Sequence, residues 1–122
     1  MAVEAARLAW NRGVRCLVLP PVPFGANAQQ VDIPHTLNLN PSTQAFVLGD
    51  IVESLDAQGL SKRLILNGHG GNEFKPMIRE LQARTEVFLC TLNWFGLPEV
   101  AEHFPDPGDH AGLMETSLML HV

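Results

Sequence analysis

Residues 64–74 read LILNGHGGNEF. A short apolar run leads straight into a histidine set among glycines, and an asparagine and a glutamate follow. With Arg63 in front, RLILNG has the length and composition of a buried strand. Residues 72–84 then carry Phe74, Met77, Ile78 and Leu81 at helical spacing, with Pro76 in the first turns, where proline is tolerated. EVFLCTLNW, residues 86–94, is a further apolar strand. A strand, a glycine-rich turn, a helix and a second strand make a β-α-β unit, and that order decides the fold class.

Read outward from this unit, the chain keeps the same alternation. AVEAARLAWNR, residues 2–12, places Val3, Ala6, Leu8 and Trp10 on or near one helical face, and Gly13 is placed to cap it. VRCLVLP, residues 14–20, predicts a strand stopped by Pro20 and Pro21. Residues 20–40 hold four prolines and no steady period, a loop long enough to carry function. Asn40-Pro41 predicts a helix start, Ala45, Leu48, Val52 and Leu55 form its apolar stripe, and Gly59 ends it. HAGLMETSLMLHV, residues 110–122, predicts a last helix after a proline-rich stretch. The order α-β-loop-α-β-α-β-α predicts an α/β fold. Three parallel, adjacent strands near 15–19, 63–67 and 86–92 would be covered by helices on both faces.

Bulk properties narrow the function. The 122 residues suit one domain with its own core, and 46% hydrophobic with 17% charged residues excludes disorder. A net charge of −5 offers no basic stripe, which argues against a nucleic-acid partner. No apolar run approaches the roughly 20 residues needed to span a membrane. Cys16 and Cys90 sit in apolar runs and read as buried reduced thiols, which favours the cytoplasm. The last helix stops without a polar or glycine signal, so the chain reads as a piece of a longer protein.

The glycine-wrapped histidine lies where parallel sheets place their ligands, at the carboxyl end of a strand. Gly68, Gly70 and Gly71 would allow unusual backbone angles and close approach, and His69 would present its imidazole as a metal ligand or general base. A plain structural turn is the alternative. A phosphate cradle lacks the lysine and the complete glycine signature, and the oxyanion turn of lipase-like hydrolases would need a G-x-S-x-G elbow that is absent. Asp109 before His110 is as well suited to helix capping as to a functional role. Glu115 lies amid Leu113, Met114, Leu118 and Met119, where a carboxylate needs a partner or a metal. Trp94 and Phe95 could wall a pocket or serve the core. His35, His103 and His121 read as ordinary surface or loop histidines, and Asn27, Gln29 and Gln30 in the long loop could line a substrate pocket or be plain loop polarity.

LILNGHGGN followed by DHAGLMETSLML, with PPVPFGANAQQVDIPHTLNLNPST between the first predicted strand and the next helix, resembles the creatininase (creatinine amidohydrolase) family. The similarity runs from about residue 5 to the end. The resemblance implies a three-layer α/β/α sandwich with a mainly parallel sheet, assembled as a homo-oligomer. It implies hydrolysis of non-peptide C–N bonds in small cyclic amides or formamides, with a divalent metal (Zn, Mn or Fe) as cofactor. His69 matches the family's metal-binding histidine, Glu115 the glutamate of its H-A-G-x-x-E-T-S motif, as metal ligand or catalytic group, and His110 the catalytic histidine on the substrate side. Gly68, Gly70, Asn72, Trp94 and Asp109 would line the substrate. Two departures stand out: the family's upstream Glu-x-His segment is missing from these residues, and a ligand glutamate two places after the histidine is replaced by Gly71. These argue against creatinine as substrate and predict that residues 1–122 form one partial domain, inactive alone. The alternative is a catalytically silent binding or assembly module that keeps the sheet.

Overall fold

In the computed structural model, which describes every residue except Pro107, Asp109 and Val122, the run before the histidine is strand β1 (Lys62–Asn67). Strand β2 (Phe88–Asn93) pairs with it in parallel, in register from Lys62 opposite Phe88 to Asn67 opposite Asn93. Helix α3 (Phe74–Gln82) joins the two strands and packs on β2. Its cap is Glu73, whose side chain accepts from the Lys75 amide at 3.3 Å. Helix α2 (Pro41–Asp56) begins with Asn40 at the cap and proline at the first position, as the sequence predicts. The Asn40 side chain does not cap it; its oxygen accepts from Asn38 Nδ2 at 2.8 Å.

The described chain divides into two compact units, Val22–Asn93 and Met1–Pro21 with Trp94–Val122. The first holds the sheet, and its core gathers Val52 from α2, Met77 from α3, and Val87 and Leu89 at and before β2. Alternation explains which strand residues are inside. Arg63, Ile65 and Asn67 share a sheet face with Leu89 and Thr91, whereas Leu64 and Phe88 on the other face are exposed. The loop from Val22 to Asn40 is not structureless. A parallel bridge joins Gly25 to Asn38, a 3-10 turn spans Ala28–Gln30, and Asn27 Nδ2 donates to the Leu37 carbonyl at 3.0 Å.

The second unit holds α1 (Ala2–Asn11), a 3-10 turn at Trp94–Gly96, α4 (Pro98–His103) and α5 (Leu113–His121). Gly13 ends α1 in the left-handed region at φ 85°, as expected of a glycine cap. The half-buried face of α1 is Ala2, Ala6 and Ala9, while Val3, Leu8 and Trp10 are exposed. Arg15 lays its guanidinium 4.0 Å from the Trp10 ring centre, a cation–π contact that covers part of the indole.

Three expectations are corrected. No strand forms near 15–19: residues 14–21 are exposed throughout, Leu17 at 73%. An apolar run becomes a strand only when another strand supplies ladder partners, and the sheet here is two-stranded. For the same reason Cys16 is exposed rather than buried; both cysteines are free, and Cys90 is half-buried. The proline-rich stretch after Phe95 contains helix α4, started by Pro98 at its first turn. The class expected from the sequence holds: the chain is an α/β protein with a parallel sheet.

Candidate functional site

The carboxyl ends of both strands are asparagines. Asn67 closes β1, is 2% exposed, and donates from Nδ2 to Asn93 Oδ1 at 2.9 Å across the register. A carboxamide this deep must be satisfied or it destabilises the fold. Its oxygen accepts from the His69 backbone N–H and from Asn72 Nδ2, both at 3.2 Å, and Nδ2 reaches the Asn72 carbonyl at 3.4 Å. Asn67 thus folds the turn back over the strand end, and the Asn72 N–H bond to the His69 carbonyl at 3.1 Å closes it.

His69 projects from this turn, half-buried, toward the long loop. Its Nε2 lies 3.1 Å from the Ala26 carbonyl oxygen. A carbonyl can only accept, so Nε2 carries the proton in this contact. The imidazole borders a cleft of about 240 Å³ with Val22, Pro23, Phe24, Gly25, Asn27, Gly68 and Asn72. Loop and turn come close because two glycines let them. A Cβ at Gly25 would stand 2.9 Å from Asn72 Oδ1 and 3.1 Å from the His69 ring, and one at Gly71 would collide with the Ala26 oxygen.

The glycine reading is therefore corrected in part. Gly68, Gly70 and Gly71 all lie outside the left-handed region, and added side chains at Gly68 and Gly70 would meet open space. Close approach is the reason for glycine at position 71 alone. A side chain at Gly71 would displace the histidine–carbonyl contact.

Gly68, His69 and Asn72 are brought together around the cleft. Trp94, His110 and Glu115 belong to the other unit. There Trp94 is half-buried and meets Phe95 edge-on, ring centres 6.2 Å apart. His110 is exposed in the turn before α5. Glu115, in the first turn of α5, accepts from the Ala111 N–H at 2.7 Å, while Thr116 Oγ1 donates to the Ala111 carbonyl at 3.2 Å. The partner that the apolar context of Glu115 demanded is in part this backbone amide. Asp109 lies outside the described residues. Among the described residues, no group of three or more His, Cys, Asp or Glu side chains is gathered where one metal ion could be held.

Sequence reasoning missed Gln44 and most of the loop wall. Gln44 is 5% exposed and donates from Nε2 to Asn72 Oδ1 at 2.7 Å, and the same oxygen accepts from the Ala26 N–H at 3.0 Å. Its position one turn before Leu48, on the apolar stripe of α2, was the available signal. Val22, Pro23, Phe24 and Gly25 could have been found from the length of the proline-rich loop and its one glycine.

The fold and turn define an α/β protein with a histidine-bearing cleft at the carboxyl ends of parallel strands, the position at which such sheets bind ligands. Residues 1–122 match the model of the Creatininase family, creatinine amidohydrolase, and the chain belongs to that family. It is 48% identical to a protein from Bacteroides fragilis NCTC 9343 assigned as a creatinine amidohydrolase, whose crystal structure superposes with a TM-score of 0.89 over 98% of this chain and 49% of that one. It is 30% identical over 106 residues to the mycofactocin precursor peptide peptidase of Mycolicibacterium smegmatis, covering 87% of this chain and 40% of that protein. The chain thus spans less than half the length of either relative. No described helix is long and apolar enough to cross a membrane.

Proposed function

We propose that residues 1–122 supply the histidine-bearing part of a metal-dependent hydrolase of amide C–N bonds. The observation that carries this reading is the His69 imidazole at the strand end, its Nε2 proton given to the Ala26 carbonyl, in a chain that matches the Creatininase family throughout. Histidines that hold metals characteristically donate their second ring N–H to a carbonyl or carboxylate. The described residues do not make a whole metal centre, so His69 has the chemistry of one ligand and the rest of the set must come from outside the described cluster. A divalent ion, Zn, Mn or Fe, would be held through the His69 imidazole, and Glu115 is the second candidate ligand. Such an ion polarises a carbonyl and makes a bound water acidic.

The residues themselves would divide the remaining work. The half-buried ring of His69 faces the Ala26 carbonyl, Phe24, Val22 and Pro23 give the cleft an apolar wall, and Asn27 offers a polar group to a carboxamide. His110 would exchange a proton at the leaving nitrogen. The substrate is a small cyclic amide or a formamide. The peptidase name of the mycobacterial relative extends the class to a peptide C–N bond. Free cysteines suit a cytoplasmic setting, the family resemblance supports a homo-oligomer, and the net charge of −5 argues against a nucleic-acid partner.

Titration of the chain with Mn²⁺ or Zn²⁺, followed through the ring resonances of its histidines, tests the reading. His69 is expected to respond first, and His69→Ala to lose the response. A titration that moves other histidines and leaves His69 untouched would sink it. That outcome would favour the second reading, a silent binding or assembly module that keeps the sheet.

A further inference from the structure

Four hydrogen bonds around the turn form a closed circuit. The His69 backbone N–H goes to Asn67 Oδ1, Asn72 Nδ2 goes to the same oxygen, the Ala26 N–H goes to Asn72 Oδ1, and His69 Nε2 goes to the Ala26 carbonyl. Two of the donors are main-chain amides, whose polarity is not negotiable. The His69 N–H requires the oxygen of Asn67 to face it, and this leaves Asn72 to present its nitrogen to Asn67 and its oxygen to the loop. The Ala26 N–H independently requires that same oxygen. Both routes agree, so the orientation of each carboxamide is determined twice.

The circuit is also fully used at its centre. Asn67 spends both lone pairs on His69 and Asn72 and both N–H groups on Asn93 and the Asn72 carbonyl. Asn72 Oδ1 takes a second donor from Gln44 at 2.7 Å. That choice leaves Gln44 Oε1 buried and without a hydrogen-bond partner among the described residues. A buried amide that leaves its own oxygen unmet to complete another group's shell is a sign that the second group matters.

We propose that Asn72 is the positioning residue of His69, with Asn67 and Gln44 as its supports. By gripping the Ala26 N–H, Asn72 holds that loop segment against the turn and so keeps the Ala26 carbonyl within reach of His69. The carbonyl in turn holds the Nε2 proton and so selects one ring tautomer. Asn72 lines the cleft, but both acceptor sites of its side chain are taken inside the protein. Its contribution to a ligand is made through the histidine. The metal arm of this inference rests on the function proposed above; the tautomer arm does not.

The test separates them. In metal-free full chain, long-range ¹H–¹⁵N correlation of the imidazole should show His69 as the Nε2–H tautomer. In Asn72→Ala and in Asn72→Ser the ring should become a mixture, with His35 and its neighbours unchanged. Zn²⁺ binding detected at His69 should weaken about 10- to 100-fold in either variant, the range known for groups that orient a ligand. Circular dichroism identifies which variants fold, and one folded variant is enough. An unchanged tautomer in a folded variant overturns the proposal, as does a wild-type ring already mixed or carrying its proton on Nδ1, which needs no variant. A wild-type ring in the Nε2–H form that loses it in a variant, with no Zn²⁺ binding anywhere, supports the positioning role and refutes the metal reading.

Discussion

Gly71 and Gly70 are neighbours with opposite demands. A methyl group at 71 would press on the Ala26 carbonyl oxygen and come within 2.5 Å of His69 Nε2, and a backbone oxygen inside a bridged loop has little room to yield. Gly71→Ala is therefore expected to destabilise by about 1–3 kcal/mol, the usual range for overpacking, and to break the histidine–carbonyl contact. Gly70→Ala meets open space with an ordinary backbone angle, and should stay within about 0.5 kcal/mol of wild type. Denaturant midpoints of the two variants decide the matter; equal midpoints would show that close packing at 71 is not the constraint. The sequence pointed to this turn through its composition, since a histidine among glycines has few bland uses. It did not point to Gln44, because a polar residue on an apolar stripe is discarded when only hydrophobic periodicity is read. Its partner Asn72 is 28 positions away.

Among the elements, those with local signals were legible. Asn40-Pro41 and Gly59 bracket α2, Gly13 caps α1, and the short apolar runs around Leu64 and Leu89 yield the parallel pair. The segment 14–20 was not legible, since its composition is that of a strand and nothing within it reveals whether another strand lies beside it. Burial, and not hydrophobicity, should then rank the apolar side chains. Leu89 in β2 is 5% exposed, and Leu89→Ala is expected to cost about 2–5 kcal/mol. Leu120 in α5 is 84% exposed, and Leu120→Ala should change stability by less than about 0.5 kcal/mol. A large loss at Leu120 would mean that α5 is covered in solution by something these contacts do not include. The ion pair at the start of α1 behaves differently again. The Arg7 guanidinium, by hydrogen bond and charge, lowers the Glu4 carboxyl below its ordinary range. A lowered folded value adds stability above the unfolded value and loses it as the pH falls through the folded one. Both groups lie at the surface, so Glu4→Gln should leave the acid midpoint below about pH 4 unmoved.

At the scale of the molecule, the family was legible because two motifs about forty residues apart fit one pattern, whereas the completeness of the site was not. A catalytic zinc normally has three protein ligands and an open position, and a site with two ions needs more. The described residues gather no such group, and the chain covers 49% of the Bacteroides protein and 40% of the mycobacterial one. An imidazole without its partner ligands loses the chelate advantage that makes such centres tight. Residues 1–122 are accordingly expected to take up Zn²⁺ or Mn²⁺ weakly and to retain well under one ion per chain after desalting. His69→Ala should remove most of what is retained, and His35→Ala, at an exposed loop histidine, should remove none. Hydrolysis of a cyclic amide or a formamide should be undetectable above the metal-only blank. Elemental analysis of the desalted chain is the deciding measurement. One tightly held ion per chain would mean that these residues complete a centre by themselves, with ligands other than the described ones or drawn from a second copy, and turnover at the same stoichiometry would make that centre catalytic.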